Sequence, residues 1–199
     1  MALILPGSRR SEIARLMEPF GETMHLVSQS VPDLQFVLPA APHVVGAVQA
    51  AIQHWPVKPI VLDHRELGEA QYHIDKRAAF RAADVALAAS GTVSLELAAN
   101  ATPMVIAYDM GWLSRQIIGR MLITDTVTLV NLVTQSRVIS EFIGWNCKPN
   151  LIASSLIETL KSPHRQVRAL NSTMDALGRD AISPGLQAAQ SVLRFLERD

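Results

Sequence analysis

The chain has 199 residues, and its 18 Lys+Arg are balanced by 18 Asp+Glu, so the formal net charge is zero. That balance excludes the basic excess of a nucleic-acid binder and the polybasic run that holds a protein to anionic lipid. A single cysteine, Cys147, excludes an internal disulfide framework and suits a reducing compartment, and no run of about 18 apolar residues is present to span a membrane.

Residues 2–5 (ALIL) read as a short buried strand, with no signal peptide ahead of them. Residues 9–30 then carry helical spacing, with Ile13, Leu16, Met17, Phe20, Met24 and Val27 at intervals of three and four. LQFVLPA (34–40) is the second strand, a helix follows over about 43–53, and PIVLD (59–63) is the third strand. Residues 64–76 are polar and read as irregular, with His64 and His73 in solvent, before a helix over about 76–83. VALAA (85–89) is the fourth strand, 92–100 is helical, and PMVIAY (103–108) is the fifth strand. A helix over about 112–122 and a sixth strand at TVTLV (126–130) come next. From Asn131 onward the pattern is helical, broken near Pro149, Pro163 and Pro184, with a last helix at 186–197.

Strands that are near-continuous apolar runs, alternating with helices, predict a parallel sheet covered on both faces. The expected fold class is therefore α/β: a doubly wound, Rossmann-like parallel sheet with a helical C-terminal tail. The expected division is a ligand-binding domain over 1–163 and C-terminal helices over 164–199. The hydrophobic fraction of 49% is high, and the chain opens directly on a strand. Both features predict a piece of a longer protein, exposing a face that the remainder would cover.

Ligands of open parallel sheets bind beyond the carboxyl ends of the strands. Two loops stand there. In Pro6-Gly7-Ser8-Arg9-Arg10, Gly7 lets the backbone approach a ligand, Ser8 can cap the following helix, and Arg9 offers a planar fork for phosphate. Ser90-Gly91-Thr92 repeats the plan after the fourth strand, and Glu96 lies one turn into its helix, where a carboxylate can accept both ribose hydroxyls. The alternative for each loop is an ordinary capped helix start with solvated charges. Neither loop is a Walker A motif or a G-x-G-x-x-G turn, and no histidine pair has metal-ligand spacing, so no metal or cofactor is expected. Cys147 reads as a packed thiol, Asp109 as a loop carboxylate, and Trp112, Leu113, Ile117, Ile118, Met121 and Leu122 as an apolar stripe for core packing or a lipid chain.

Taken together, LPGSR-x-x-EI, LAASGTVSLELA, PMVIAY and LVNL, in this order, resemble the C-terminal half of lipid-A-disaccharide synthases, whose runs read LPGSR, ASGT-x-x-LE, PMVVAYR and LPN-L. The resemblance implies the donor domain of a two-domain, inverting GT-B glycosyltransferase. Such an enzyme joins UDP-2,3-diacylglucosamine to 2,3-diacylglucosamine 1-phosphate and releases UDP. The resemblance also implies an acceptor and a general base held by a missing N-terminal domain, a cytoplasmic enzyme peripheral to the inner membrane, and a possible homodimer. Residue by residue, it assigns Arg9 to the diphosphate and leaving group, Gly7, Ser8, Ser90, Gly91 and Thr92 to the phosphate loops, Glu96 to the ribose and Asn131 to the substrate. Two positions depart from the family pattern: Asp109 stands for the arginine after the fifth strand, and Val130 for the proline before Asn131. A UDP-sugar 2-epimerase of the same fold and a non-catalytic nucleotide-binding module are the alternatives.

Overall fold

The computed structural model describes residues 1–109, 126–179 and 184–196. Six strands, β1 (Ala2–Leu5), β2 (Phe36–Pro39), β3 (Ile60–Leu62), β4 (Val85–Ala89), β5 (Met104–Tyr108) and β6 (Ser140–Ile143), form one sheet in the order β3-β2-β1-β4-β5-β6. Every pairing is parallel, with Leu3 in register with Val37 on one side and Ala86 on the other. The described helices are α1 (Arg10–Ser30), α2 (Val45–Ile52), α3 (His64–Leu67), α4 (Glu69–Ala82), α5 (Val93–Ala99), α6 (Leu129–Val133), α7 (Pro149–Lys161), α8 (His164–Ala176) and α9 (Pro184–Leu196). No helix among the described residues is long and apolar enough to cross a membrane.

Side chains of a strand point alternately to the two faces, so a sheet covered on both sides needs apolar residues at every position. Ile4, Leu38, Leu87 and Val105 pack with α1, α2 and α7 on one face. Leu3, Leu5, Ala86, Ala88, Met104 and Ile106 pack with residues of α4, α5, α6 and α8 on the other. The six α1 residues expected inside are all buried. Gly21 has a separate packing role: a Cβ there would lie 2.6 Å from the indole of Trp55, so the ring seats directly on the helix backbone. The breaks expected at proline are also present. Pro149 opens α7, Pro163 precedes α8 and Pro184 opens α9. The helix and apolar stripe expected over 112–122 lie outside the described residues.

Four expectations fail. Residues 126–130 do not form a strand: 126–128 belong to no strand, and Leu129–Val133 is helical. The Glu141 carboxylate takes up the donors that a strand would have sent to a neighbour, accepting from Thr126 Oγ1 and Thr128 N, both at 2.7 Å, and from Val127 N at 3.2 Å. The sixth strand is Ser140–Ile143, within the stretch read as helical. Nor is 64–76 irregular. Asp63 caps α3 by accepting from Arg65 N at 2.9 Å, and Gly68, at φ +77, turns the chain into α4. His73 is exposed as expected. His64 is half-buried, its ring edge-on to Tyr72 with centroids 6.3 Å apart.

Asp63 fastens this region to the sheet. Its carboxylate is almost wholly buried and also accepts from Gln49 Nε2 at 2.8 Å and from Arg65 Nη2 at 2.7 Å, while Arg65 Nη2 donates to Gln49 Oε1 at 2.9 Å. Hydrogen bonding from the Arg65 side chain holds the Asp63 pKa below its ordinary 3.8, against the upward push of burial. A carboxyl group with a lowered folded pKa stabilises the protein above its unfolded value, and the contribution fades as pH falls through the folded value. Unfolding by urea at stepped pH should therefore show stability lost below about 4. Asp63→Asn should be less stable near neutrality and show a shallower acid slope; an unchanged slope would remove Asp63 from the acid response.

Candidate active site

The strand order reverses between β1 and β4, which lie side by side. α1 follows β1 onto one face and α5 follows β4 onto the other, so the two loops part and leave a crevice at the carboxyl edge of the sheet. A cleft of about 320 Å³ lies there, and both loops line it: Gly7, Ser8 and Arg9 from the first, Ser90, Gly91 and Thr92 from the second. Glu96 joins them from α5, while Tyr72, Lys76 and Phe80 form the wall from α4. Seven of the eight expected site residues are thus brought together.

The first loop is organised by the glutamate of the LPGSR-x-x-EI run, to which that pattern assigns no role. Glu12 is buried, and its Oε2 accepts from Ser8 N at 2.9 Å and Arg9 N at 3.0 Å, while Oε1 accepts from Arg9 Nη1 at 3.1 Å. The cap expected of Ser8 is therefore supplied by Glu12, and the N-cap residue is Arg9. This also sets the demand for glycine at position 7. Gly7 has φ +103, and a Cβ there would lie 2.3 Å from Glu12 Oε2. Two loop N–H groups are thereby committed to a side chain and are closed to a ligand. The Arg9 guanidinium is mostly exposed and tethered at one nitrogen. The template Ser/Thr-x-x-Glu would have flagged Glu12, but arginine occupies its first position.

The second loop is more open. Ser94 Oγ donates to Gly91 O at 2.8 Å and Ser94 N begins the backbone pattern, so the amides just ahead of it have no helical acceptor. A Cβ on Gly91 would meet nothing within 4 Å. Glu96 is half-exposed, with Oε2 3.0 Å from Lys76 Nζ. Tyr72 donates from its hydroxyl to Ala40 O at 3.0 Å, and burial, with the charge of Glu96, raises its pKa above the ordinary 10.0. Tyr72, Lys76 and Phe80 recur every four residues, and that spacing marks one face of α4.

Asn131 is not brought to the cleft by the described residues. It is fully buried. Its Nδ2 donates to Ile139 O at 2.9 Å and Thr126 Oγ1 at 3.2 Å, and its Oδ1 accepts from Ile139 N at 2.9 Å. The carboxamide spans α6 and the approach to β6 and, with Glu141, fixes the 126–128 stretch. Asp109 follows β5 at the carboxyl edge, and Cys147 is half-buried, packed against the core cluster that α1, α2 and α7 share with the sheet. No group of His, Cys, Asp or Glu suited to a metal ion occurs among the described residues. Asn131→Ala leaves the Ile139 N–H and C=O buried without these partners and should cost about 1–3 kcal/mol of stability by urea unfolding. Unchanged stability would contradict this structural role.

The lipid-A-disaccharide synthetase family model matches residues 1–189. The lipid-A-disaccharide synthase of Ruegeria pomeroyi is 50% identical over 191 residues, which is 96% of this chain and 48% of that protein. The enzyme of Nitrobacter winogradskyi is 42% identical over 197 residues, again 48% of its length. The chain thus spans about half the length of these curated relatives. Among solved structures, a UDP-GlcNAc 2-epimerase from Neisseria meningitidis, bound to UDP-GlcNAc, shares the fold with a TM-score of 0.53 at 13% identity, covering 90% of this chain and 45% of that one. A doubly wound sheet with its cleft at the strand-order reversal, matched by sequence along nearly its whole length, places the chain in the lipid-A-disaccharide synthase family of glycosyltransferases.

Proposed function

We propose that this chain is the donor-binding half of the enzyme that joins UDP-2,3-diacylglucosamine to 2,3-diacylglucosamine 1-phosphate, giving lipid A disaccharide 1-phosphate and UDP. The observation that carries the reading is the convergence of Arg9, the 90–92 turn and Glu96 on one cleft at the point of strand-order reversal. Arg9 offers a charged fork to the diphosphate. The 90–92 turn offers bare backbone, and Gly91 leaves room for phosphate oxygens to approach it. Glu96 accepts from the ribose hydroxyls.

The chemistry assigned to this half is leaving-group stabilisation. Negative charge grows on the β-phosphate as the bond to the sugar breaks, and Arg9 meets it where it develops. Glu12 contributes by keeping the guanidinium at the cleft mouth, with one nitrogen tethered and the others open. The base that takes the acceptor proton belongs in this reading to the other half of the enzyme, because transfer needs acceptor and base held opposite the donor. Asn131 is assigned the shape of the 126–128 stretch instead of a substrate contact. The intact enzyme is placed at the cytoplasmic face of the inner membrane, where its lipid substrates reside. Leu186, Val192, Leu193 and Phe195 of α9 are all exposed, and the other half or a second copy of the chain would cover them.

Arg9→Ala should weaken UDP binding by about 1.5–3 kcal/mol in calorimetry without a matching loss of stability. Unchanged affinity in a folded variant would sink the assignment. The chain alone should make no disaccharide from donor and acceptor, and adding the N-terminal half should restore transfer; turnover by this chain alone would show that its own residues suffice.

A further inference from the structure

The charges of the cleft are arranged in two pairs. Glu12 is matched by Arg9 at 3.1 Å, and Glu96 by Lys76 at 3.0 Å. The second pair joins two helices, with Lys76 in the middle of α4 and Glu96 in the first turn of α5. Glu96 alone would be a poor neighbour for a diphosphate, because two like charges in one cleft repel.

Lys76 is placed with little freedom. Its Nζ lies 5.3 Å from the centroid of the Phe80 ring, which is buried. Tyr72, one turn before it, is also buried and fixed through its hydroxyl to Ala40 O. The ammonium thus stands over a buried ring, and only about a third of the lysine side chain is exposed. Its ammonium takes one oxygen of Glu96, while the other, Oε1, accepts no hydrogen bond among the described residues.

We propose that Lys76 is a positioning residue for recognition of a vicinal diol: it holds the Glu96 carboxylate in one rotamer and cancels its charge toward the phosphates. This rests on the reading of Glu96 as the ribose acceptor. The role requires a cation at this distance, so arginine serves and glutamine does not. It predicts a loss of diol recognition, and a further loss with phosphate number that depends on the Glu96 charge.

The test measures binding of uridine, 2′,3′-dideoxyuridine, UMP and UDP to the chain, to Lys76→Gln, Lys76→Arg and Glu96→Gln, and to the Lys76→Gln/Glu96→Gln double variant, with thermal unfolding as a fold control. Lys76→Gln should reduce the preference for uridine over its dideoxy analogue roughly two- to fivefold. The same variant should weaken UDP more than uridine, this extra loss should vanish in the Lys76→Gln/Glu96→Gln double variant, and Lys76→Arg should retain the preference. An extra loss for UDP that persists in the Lys76→Gln/Glu96→Gln double variant would make Lys76 a phosphate contact and overturn the proposal. So would an unchanged preference in Lys76→Gln when Glu96→Gln lowers it. An unchanged preference in Glu96→Gln would overturn the ribose reading itself.

Discussion

β1 and β4 are neighbours in the sheet, yet the helices that follow them go to opposite faces. Main-chain hydrogen bonding holds the two strands side by side, and the apolar faces of α1 and α5 draw their loops apart. The resulting crevice is a product of topology. Neither loop needs to be long or strained as a whole to make room, and the cleft floor is the end of a tightly packed sheet. The rest of the site is a matter of which side chains lie on the two loops and on the facing side of α4.

Charge is handled within that crevice by pairing. A carboxylate beside an anion site costs binding energy unless a cation stands against it, and both carboxylates in the cleft have such a partner. The two pairs do different work. Glu12 faces inward and shapes the loop by occupying its amides, leaving an exposed guanidinium at the cleft. Glu96 faces the opening, with one oxygen engaged and one open. An arginine fork and a carboxylate thus both line the cleft, as the proposed donor, with its phosphates and ribose hydroxyls, requires.

How legible this was depends on burial. β1, β2, β4 and β5 are covered on both faces, so their sequences are unbroken apolar runs that read as strands. β6 lies at the edge, half-exposed throughout, and SEFI carries no such run. TVTLV, conversely, is rich in β-branched residues, yet the bonding that decides its shape comes from Glu141, which is distant in sequence. α4 buries only Tyr72, Ala79 and Phe80, so its apolar signal was submerged in charge. At the site, residue types at loop positions were readable because chemistry there follows from the motif. The contacts of Glu12 and Asn131 were not, because nothing local distinguishes a carboxylate that closes a loop from one that faces water, or an amide that meets a ligand from one that braces a turn.

α8 carries a consequence for how the molecule divides. Gln166 is buried, and its Oε1 accepts from Met104 N at 2.8 Å, at the start of β5. Leu170 of the same helix is wholly buried in the core cluster beside Met104 and Ile106. A cut at residue 163 would strip a hydrogen bond from a central part of the sheet and open a hole beneath it. α8 therefore belongs with the sheet, and the core continues past residue 163.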